Sequence, residues 1–271
     1  MDRLGEILQK LNERHTPEDF NVEESKQRLC DWENEREGNL HEIDGYNCSL
    51  CKNKGYIAEI GKNGFETHVV CKCDRIRETL RRARRSGLGN ILTDYTFDKY
   101  IVTEEWQQKI KTTAQVFCQD DTAHWFYMGG QTGAGKTHIC TAIAAHYIKQ
   151  GRECKYMLWR DDAVKLKATA NDYETYQSLI KPFKEVEVLY IDDFLKVMNG
   201  ADPTPADINV AFEILNYRLH DSDKITIISS EFTINKALEY DEATIGRIYQ
   251  LSGDYHINID RDRNKNYRLR G

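Results

Sequence analysis

The sequence predicts an α/β chain: a five-stranded parallel sheet with helices on both faces, preceded by a small unit of a different kind. Three observations carry this. Beyond about residue 90, short apolar runs alternate with longer helical stretches, the pattern of strands buried on both sides. One of those runs leads directly into a glycine-rich turn, GGQTGAGKT, and then a helical stretch. Before residue 74, two pairs of cysteines bracket a short glycine-punctuated segment.

A chain of 271 residues has room for two domains. With 40% hydrophobic and 30% charged residues it has the balance of a soluble protein with a packed core. No apolar stretch is long enough to span a membrane, and MDRLGEILQKLNERHTPEDF lacks the apolar centre of a signal peptide, so a cytoplasmic location is expected. In that reducing compartment eight cysteines point to metal binding or burial rather than disulfides. The net charge of −6 excludes a uniformly basic, nucleic-acid-coating surface but leaves room for local basic patches.

Taken in order, Leu4, Ile7, Leu8 and Leu11 recur at helical spacing and predict an amphipathic helix with one narrow apolar face. That face suits packing on its own domain or docking on a partner. YIAEI and THVVC, between Gly45, Gly55, Gly61 and Gly64, predict a compact hairpin-rich unit. Cys48 and Cys51 stand at one end of it, Cys71 and Cys73 at the other, and four thiolates can close a tetrahedral structural zinc site without water. Gly55 suits the tight knuckle, and His68 is a possible substitute ligand. An arginine-rich helix follows at 74–86, with Arg75, Arg77, Arg81, Arg82, Arg84 and Arg85; it suits either phosphate contacts or a solvated linker. GLGN at 87–90 is its stop signal, which sets the domains at 1–86 and 87–271.

In the second domain the strand candidates are HWFYM (124–128), CKYML (154–158), VEVLYI (186–191), ITIIS (225–229) and YHINI (255–259). Residues 130–137 fit G-x-x-x-x-G-K-[ST] between a strand and a helix, the context that loop requires for cradling phosphates with backbone N–H groups. The nucleotide-contacting set is Gly130, Gln131, Thr132, Gly133, Ala134, Gly135, Lys136, Thr137 and His138, with Lys136 reaching the β- and γ-phosphates and Thr137 on Mg²⁺. VEVLYIDDF ends a buried strand in two carboxylates: Asp192 is the Mg²⁺ contact and Asp193 the group that orients or deprotonates the attacking water. Ser230 and Glu231 end another strand, and come up beside the same phosphates if that strand neighbours Asp192; an ordinary strand-to-helix turn is the alternative. Arg247, late in ATIGRIYQLS, could supply a cation to a neighbouring subunit's γ-phosphate.

SGLGNILTDYTFDKY, GGQTGAGKTHICTAIA, LYIDDF, ADINVAFEILNYR, IISSEFT and IGRIYQLSGDYHINID together resemble an AAA+ ATPase, and specifically the bacterial and phage replicative helicase loaders of the DnaC/DnaI type, over roughly residues 86–270. The resemblance implies a hydrolysis centre at Thr137, Asp192 and Asp193, an arginine finger at Arg247, and Leu88, Tyr95 and Phe97 near the adenine. Glu231 stands where many AAA+ proteins have Asn. It also implies an AAA+ core without a helical lid, ending at Gly271, and an N-terminal zinc-binding domain that grips the helicase. The function implied is ATP-dependent placement of a hexameric replicative DNA helicase on single-stranded DNA at replication initiation, with self-assembly on the helicase. The rivals are a transposition-helper ATPase of the IstB type, a small-substrate P-loop kinase and a purely regulatory nucleotide-binding adaptor.

Overall fold

The structure, a computed structural model of the chain, describes residues 22–62, 64–85, 94–197 and 200–269. The expected Leu4–Leu11 helix, the GLGN stop and Leu88 lie outside these residues. Contacts divide the chain into two compact units, residues 1–74 and 75–271. Among the described residues no helix is long and apolar enough to cross a membrane.

The first unit contains helices α1 (Val22–Glu35) and α2 (Leu40–Asp44) and an antiparallel hairpin of β1 (Tyr56–Ile60) and β2 (Glu66–Val70), with Ala58 opposite His68. The side chain of Asn34 completes the hairpin's edge as a third strand would. Its Nδ2 donates to the Ala58 carbonyl at 2.8 Å and its Oδ1 accepts from the Ala58 N–H at 2.9 Å. So small a unit has little apolar interior, and its buried cluster consists of Cys48, Cys51, Cys71 and Cys73 with Tyr46 and Ile57 packed against them. Helix α3 (Cys73–Arg85) begins at the last of these cysteines and crosses the division between the units. Arg77 on it is buried, which removes that side chain from a phosphate-tracking face.

The second unit runs through α4 (Glu105–Phe117), β3 (Trp125–Gly130), α5 (Lys136–Lys149), β4 (Cys154–Leu158), α6 (Trp159–Ala168), α7 (Tyr173–Glu185), β5 (Val188–Asp192), α8 (Pro205–Arg218), β6 (Ile225–Ser230), α9 (Ile234–Leu238), α10 (Glu242–Ser252) and β7 (His256–Ile259). All five expected strands are present, each within a residue or two of its apolar run. They form one parallel sheet in the order β4-β5-β6-β3-β7. Every residue of β3, β5 and β6 is buried, so both faces of the central sheet are covered. The chain leaves β3 for the far edge, steps back through β5 and β6 to β3, and then passes to its other side as β7. The carboxyl ends of β5, β6 and β3 therefore lie side by side, where ligands of open α/β sheets bind.

At the opposite, amino-terminal edge a single guanidinium ties the layers together. Arg218, the last residue of α8, is fully buried. It donates to the carbonyls of Val186 and Ile225 at 2.7 Å each and to Thr226 Oγ1 at 2.9 Å. Longer bonds reach the carbonyls of Phe183 and Lys184, at 3.3 and 3.2 Å, as α7 ends. One cation thus satisfies carbonyls that helix α7 and the approach to β5 leave without partners. Arg218→Met keeps the stem but orphans these acceptors, and should lower unfolding free energy by about 3 kcal/mol, read from the urea midpoint. A loss below about 1 kcal/mol would show that water replaces the guanidinium.

Candidate nucleotide site and cysteine cluster

The turn between β3 and α5 is built for close backbone approach. Gly130 has φ +109° and Gly133 φ +76°, where side chains are strained. A Cβ at Gly130 would lie 2.0 Å from the Ile259 carbonyl oxygen, and one at Gly133 2.0 Å from Asn266 Oδ1. The loop is thus held from outside by β7 and by the segment after it: Gln131 N–H donates to Ile259 O, and Tyr267 N–H to Gly133 O, both at 2.9 Å. Ala134 is buried beneath the loop, and Gly135 caps α5 in the left-handed region at φ +85°.

Lys136 is buried and folds back along the loop, donating at 2.8 Å to the carbonyls of Gly130 and Gln131. Burial lowers its pKa, while Glu231, Asp193 and Asp192 act to raise it. Thr137 Oγ1 lies 3.3 Å from Asp192 Oδ1, a hydroxyl and a carboxylate that together suit a hard cation such as Mg²⁺. Asp192 is fixed from two further sides. Tyr156 OH on β4 donates to its Oδ2 at 3.0 Å, and Ser229 on β6 donates to its Oδ1.

Asp193 turns into the left-handed region at φ +55°. Burial raises its carboxyl pKa and the Asp192 charge adds to this, against the pull of Lys196. Lys196 Nζ bridges Asp193 Oδ2 at 3.2 Å and Glu231 Oε1 at 2.7 Å. The same Glu231 oxygen accepts from Thr132 Oγ1 at 3.2 Å. Burial would raise the Glu231 pKa, but the bond from Lys196 prevails and holds it low.

A cavity of about 460 Å³ is lined by Thr132, Gly133, Gly135, Lys136, Thr137 and His138 with Asp192, Asp193, Lys196 and Glu231. Tyr95 also lines it, stacked on His138 with ring centroids 4.7 Å apart. His138 Nε2 in turn lies 2.8 Å from the Thr96 carbonyl. Phe97 is half-buried and does not line this cavity. Arg247 is exposed on α10, with Nη1 donating to Asn216 Oδ1 at 2.8 Å, and lines neither this cavity nor a second one of about 740 Å³ across the wall formed by Thr132, Lys196 and Glu231. Tyr156, Ser229 and Lys196 escape the sequence reading because their partners depend on strand order and on where one lysine stem folds back.

In the first unit the four cysteine sulfurs lie within 4.8 Å of one another. Cys48 Sγ is 3.9 Å from Cys71 Sγ, and Cys51 Sγ is 3.6 Å from Cys73 Sγ. Four sulfurs on a tetrahedron about 2.3 Å from a central zinc stand about 3.8 Å apart, so the set fits that ion. Lys52, Asn53 and Gly55 take positive φ in the knuckle, and Gly55 N–H donates to Cys51 Sγ at 3.4 Å. Burial acts against the Cys51 thiolate, yet the bonds from Gly55 N–H and the neighbouring thiols bring its pKa down to about 7. Asn53 Oδ1 accepts from Cys48 N–H at 2.8 Å, and locks the turn. His68 is elsewhere, stacked on Tyr56 at 4.3 Å and beside Glu66.

A phosphate-cradling loop on a central parallel strand, with a two-carboxylate strand end and a polar strand end beside it, defines a P-loop ATPase of the AAA+ class. Among families, the chain belongs to the IstB-like ATP binding proteins, whose family model matches residues 58–245, and membership implies ATPase activity. It is 34% identical over 219 residues to the Bacillus subtilis (strain 168) protein YqaM, covering 73% of this chain and 66% of that protein. It is 29% identical over 229 residues to the phage-like element PBSX protein XkdC of the same strain, covering 79% of this chain and 82% of that one. The crystal structure of the DnaC helicase loader shares the fold, with a TM-score of 0.53 and 20% identity, covering 63% of this chain and 98% of that one.

Since the thiols dominate the interior of the first unit, metal should supply much of its folding free energy. Treatment of the intact protein with a thiol-specific mercurial should release about one zinc per chain. Amide exchange should then rise across residues 45–74 and stay unchanged in the strands of the second unit. Protein isolated without zinc, or exchange indifferent to its removal, would contradict this.

Proposed function

We propose that this chain loads a hexameric replicative DNA helicase onto single-stranded DNA, using ATP as a switch. The two-unit build carries the reading: an AAA+ core with a full acid and loop set, joined to a separately compact unit clasped by four cysteines. In this reading residues 1–86 grip the helicase through the zinc-stabilised hairpin and residues 87–271 bind and hydrolyse ATP. The fold shared with the DnaC helicase loader supports it, as does the resemblance to the phage-element protein XkdC. A cytoplasmic location goes with this role.

Within the site, Gly130, Gln131, Thr132, Gly133, Ala134, Gly135 and His138 shape the phosphate cradle, and Lys136 exchanges its two loop carbonyls for phosphate oxygens. Thr137 and Asp192 would hold Mg²⁺, which when bound neutralises charge on the phosphates. Asp193 orients the attacking water and accepts its proton, a task suited to a carboxylate whose pKa burial has raised. Glu231 registers the γ-phosphate through Thr132. Arg247, exposed and not part of its own cavity's lining, serves a neighbouring subunit once the chains assemble on the helicase. Hydrolysis then resets the contacts and frees the helicase.

A transposition-helper ATPase is the second reading, favoured by the family match itself. Loading of a cognate helicase onto closed circular single-stranded DNA separates the two. Wild-type protein with ATP should load it, and Asp193→Asn should bind the helicase but slow its release by at least tenfold or so in turnover. Failure to bind any replicative helicase would leave the transposition reading.

A further inference from the structure

Besides Lys136, the nucleotide cavity is lined by Lys99, Lys196 and Arg268, and of these Lys196 is the one ion-paired with both Asp193 and Glu231. Lys196 sits four residues beyond Asp192, on a turn with two non-glycine residues in the left-handed region, Asp193 at φ +55° and Leu195 at φ +60°. That turn is firmly anchored. Phe194 and Leu195 are buried, Phe194 N–H donates to the Ser229 carbonyl at 2.8 Å, and Ser230 Oγ donates to the Phe194 carbonyl at 2.9 Å. A strained backbone held this way delivers the Lys196 stem to one place.

The ammonium is 27% exposed and touches Asp193 and Glu231 at once. It stands a single oxygen away from the phosphate loop, because Glu231 Oε1 is shared between Lys196 Nζ and Thr132 Oγ1. It also lines both cavities that meet at this wall. Three carboxylates, Asp192, Asp193 and Glu231, face the place where a γ-phosphate arrives, and Lys136 is the one loop cation among the described residues there. A dianionic γ-phosphate entering beside these acids needs a second cation close by, whereas ADP ends before it reaches them.

We propose that Lys196 is a γ-phosphate ligand supplied from within the same chain, parked between Asp193 and Glu231 until ATP arrives. On binding, the ammonium moves from the carboxylate pair to the terminal phosphate, which frees Asp193 for the water and Glu231 to follow Thr132. The move makes the acid strand end and the β6 end respond to ATP and not to ADP.

The inference rests on the 130–137 loop being an ATP site, and titration calorimetry on the full-length protein with Mg²⁺ distinguishes the two claims. The probes are ADP and a non-hydrolysable β,γ-imido ATP analogue. Lys196→Gln, which can still hydrogen-bond the carboxylates, should weaken the analogue by about tenfold or more while leaving ADP within about twofold. Lys196→Arg should restore most of the difference. An equal loss for both nucleotides would reduce Lys196 to a structural tie of the turn and overturn the proposal, as would unchanged binding of both. Wild-type protein that binds neither nucleotide would sink the ATP site itself.

Discussion

Strand β6 lies hydrogen-bonded between β3 and β5, with Met128 opposite Ser229 on one side and Ile191 opposite Ile228 on the other. Because parallel strands in one sheet end at the same edge, this register sets the phosphate loop after β3 and the acids after β5 on either side of Ser229, Ser230 and Glu231. Asp192 is then bonded by a serine from β6 and a tyrosine from β4, and Glu231 reaches the loop hydroxyl of Thr132.

The electrostatics of the edge follow from that geometry. Three carboxylates and two lysines crowd a partly buried wall, where a charge without a partner is costly. These groups have partners within the chain: Lys136 on loop carbonyls, Lys196 on Asp193 and Glu231, Asp192 on the hydroxyls of Thr137, Tyr156 and Ser229. Under the proposed mechanism, nucleotide binding is an exchange of partners. Such an exchange would act as a switch, because each exchanged contact changes what a neighbouring element is bonded to.

Much of this was legible in the sequence because it is local. Five apolar runs marked the strands, the glycine and lysine spacing marked the phosphate loop, and paired cysteines marked the cluster in the first unit. Glu231 could be placed only conditionally, since its role needs β6 beside β5, and the pairing supplies that. Tyr156, Ser229 and the Asn266–Tyr267 segment were not legible, because each acts across strands or from a distant part of the chain. Lys196 was hidden for another reason: the turn that aims it uses Asp193 and Leu195 at positive φ, with no glycine to announce it. His68 illustrates the reverse, a plausible ligand whose ring stacks on Tyr56 instead.

The two units differ in physical build. The first has a small interior built around four thiols; the second has a large apolar core. The central claim is that the polar edge of the second unit works fully only when a neighbouring chain contributes Arg247. The direct measurement is ATP turnover on the cognate helicase by Lys136→Ala protein, by Arg247→Ala protein, and by an equal mixture. The account predicts that each variant alone is nearly inactive and that the mixture recovers turnover, since intact sites then meet intact arginines. Full activity of Arg247→Ala alone, or no recovery in the mixture, would contradict it.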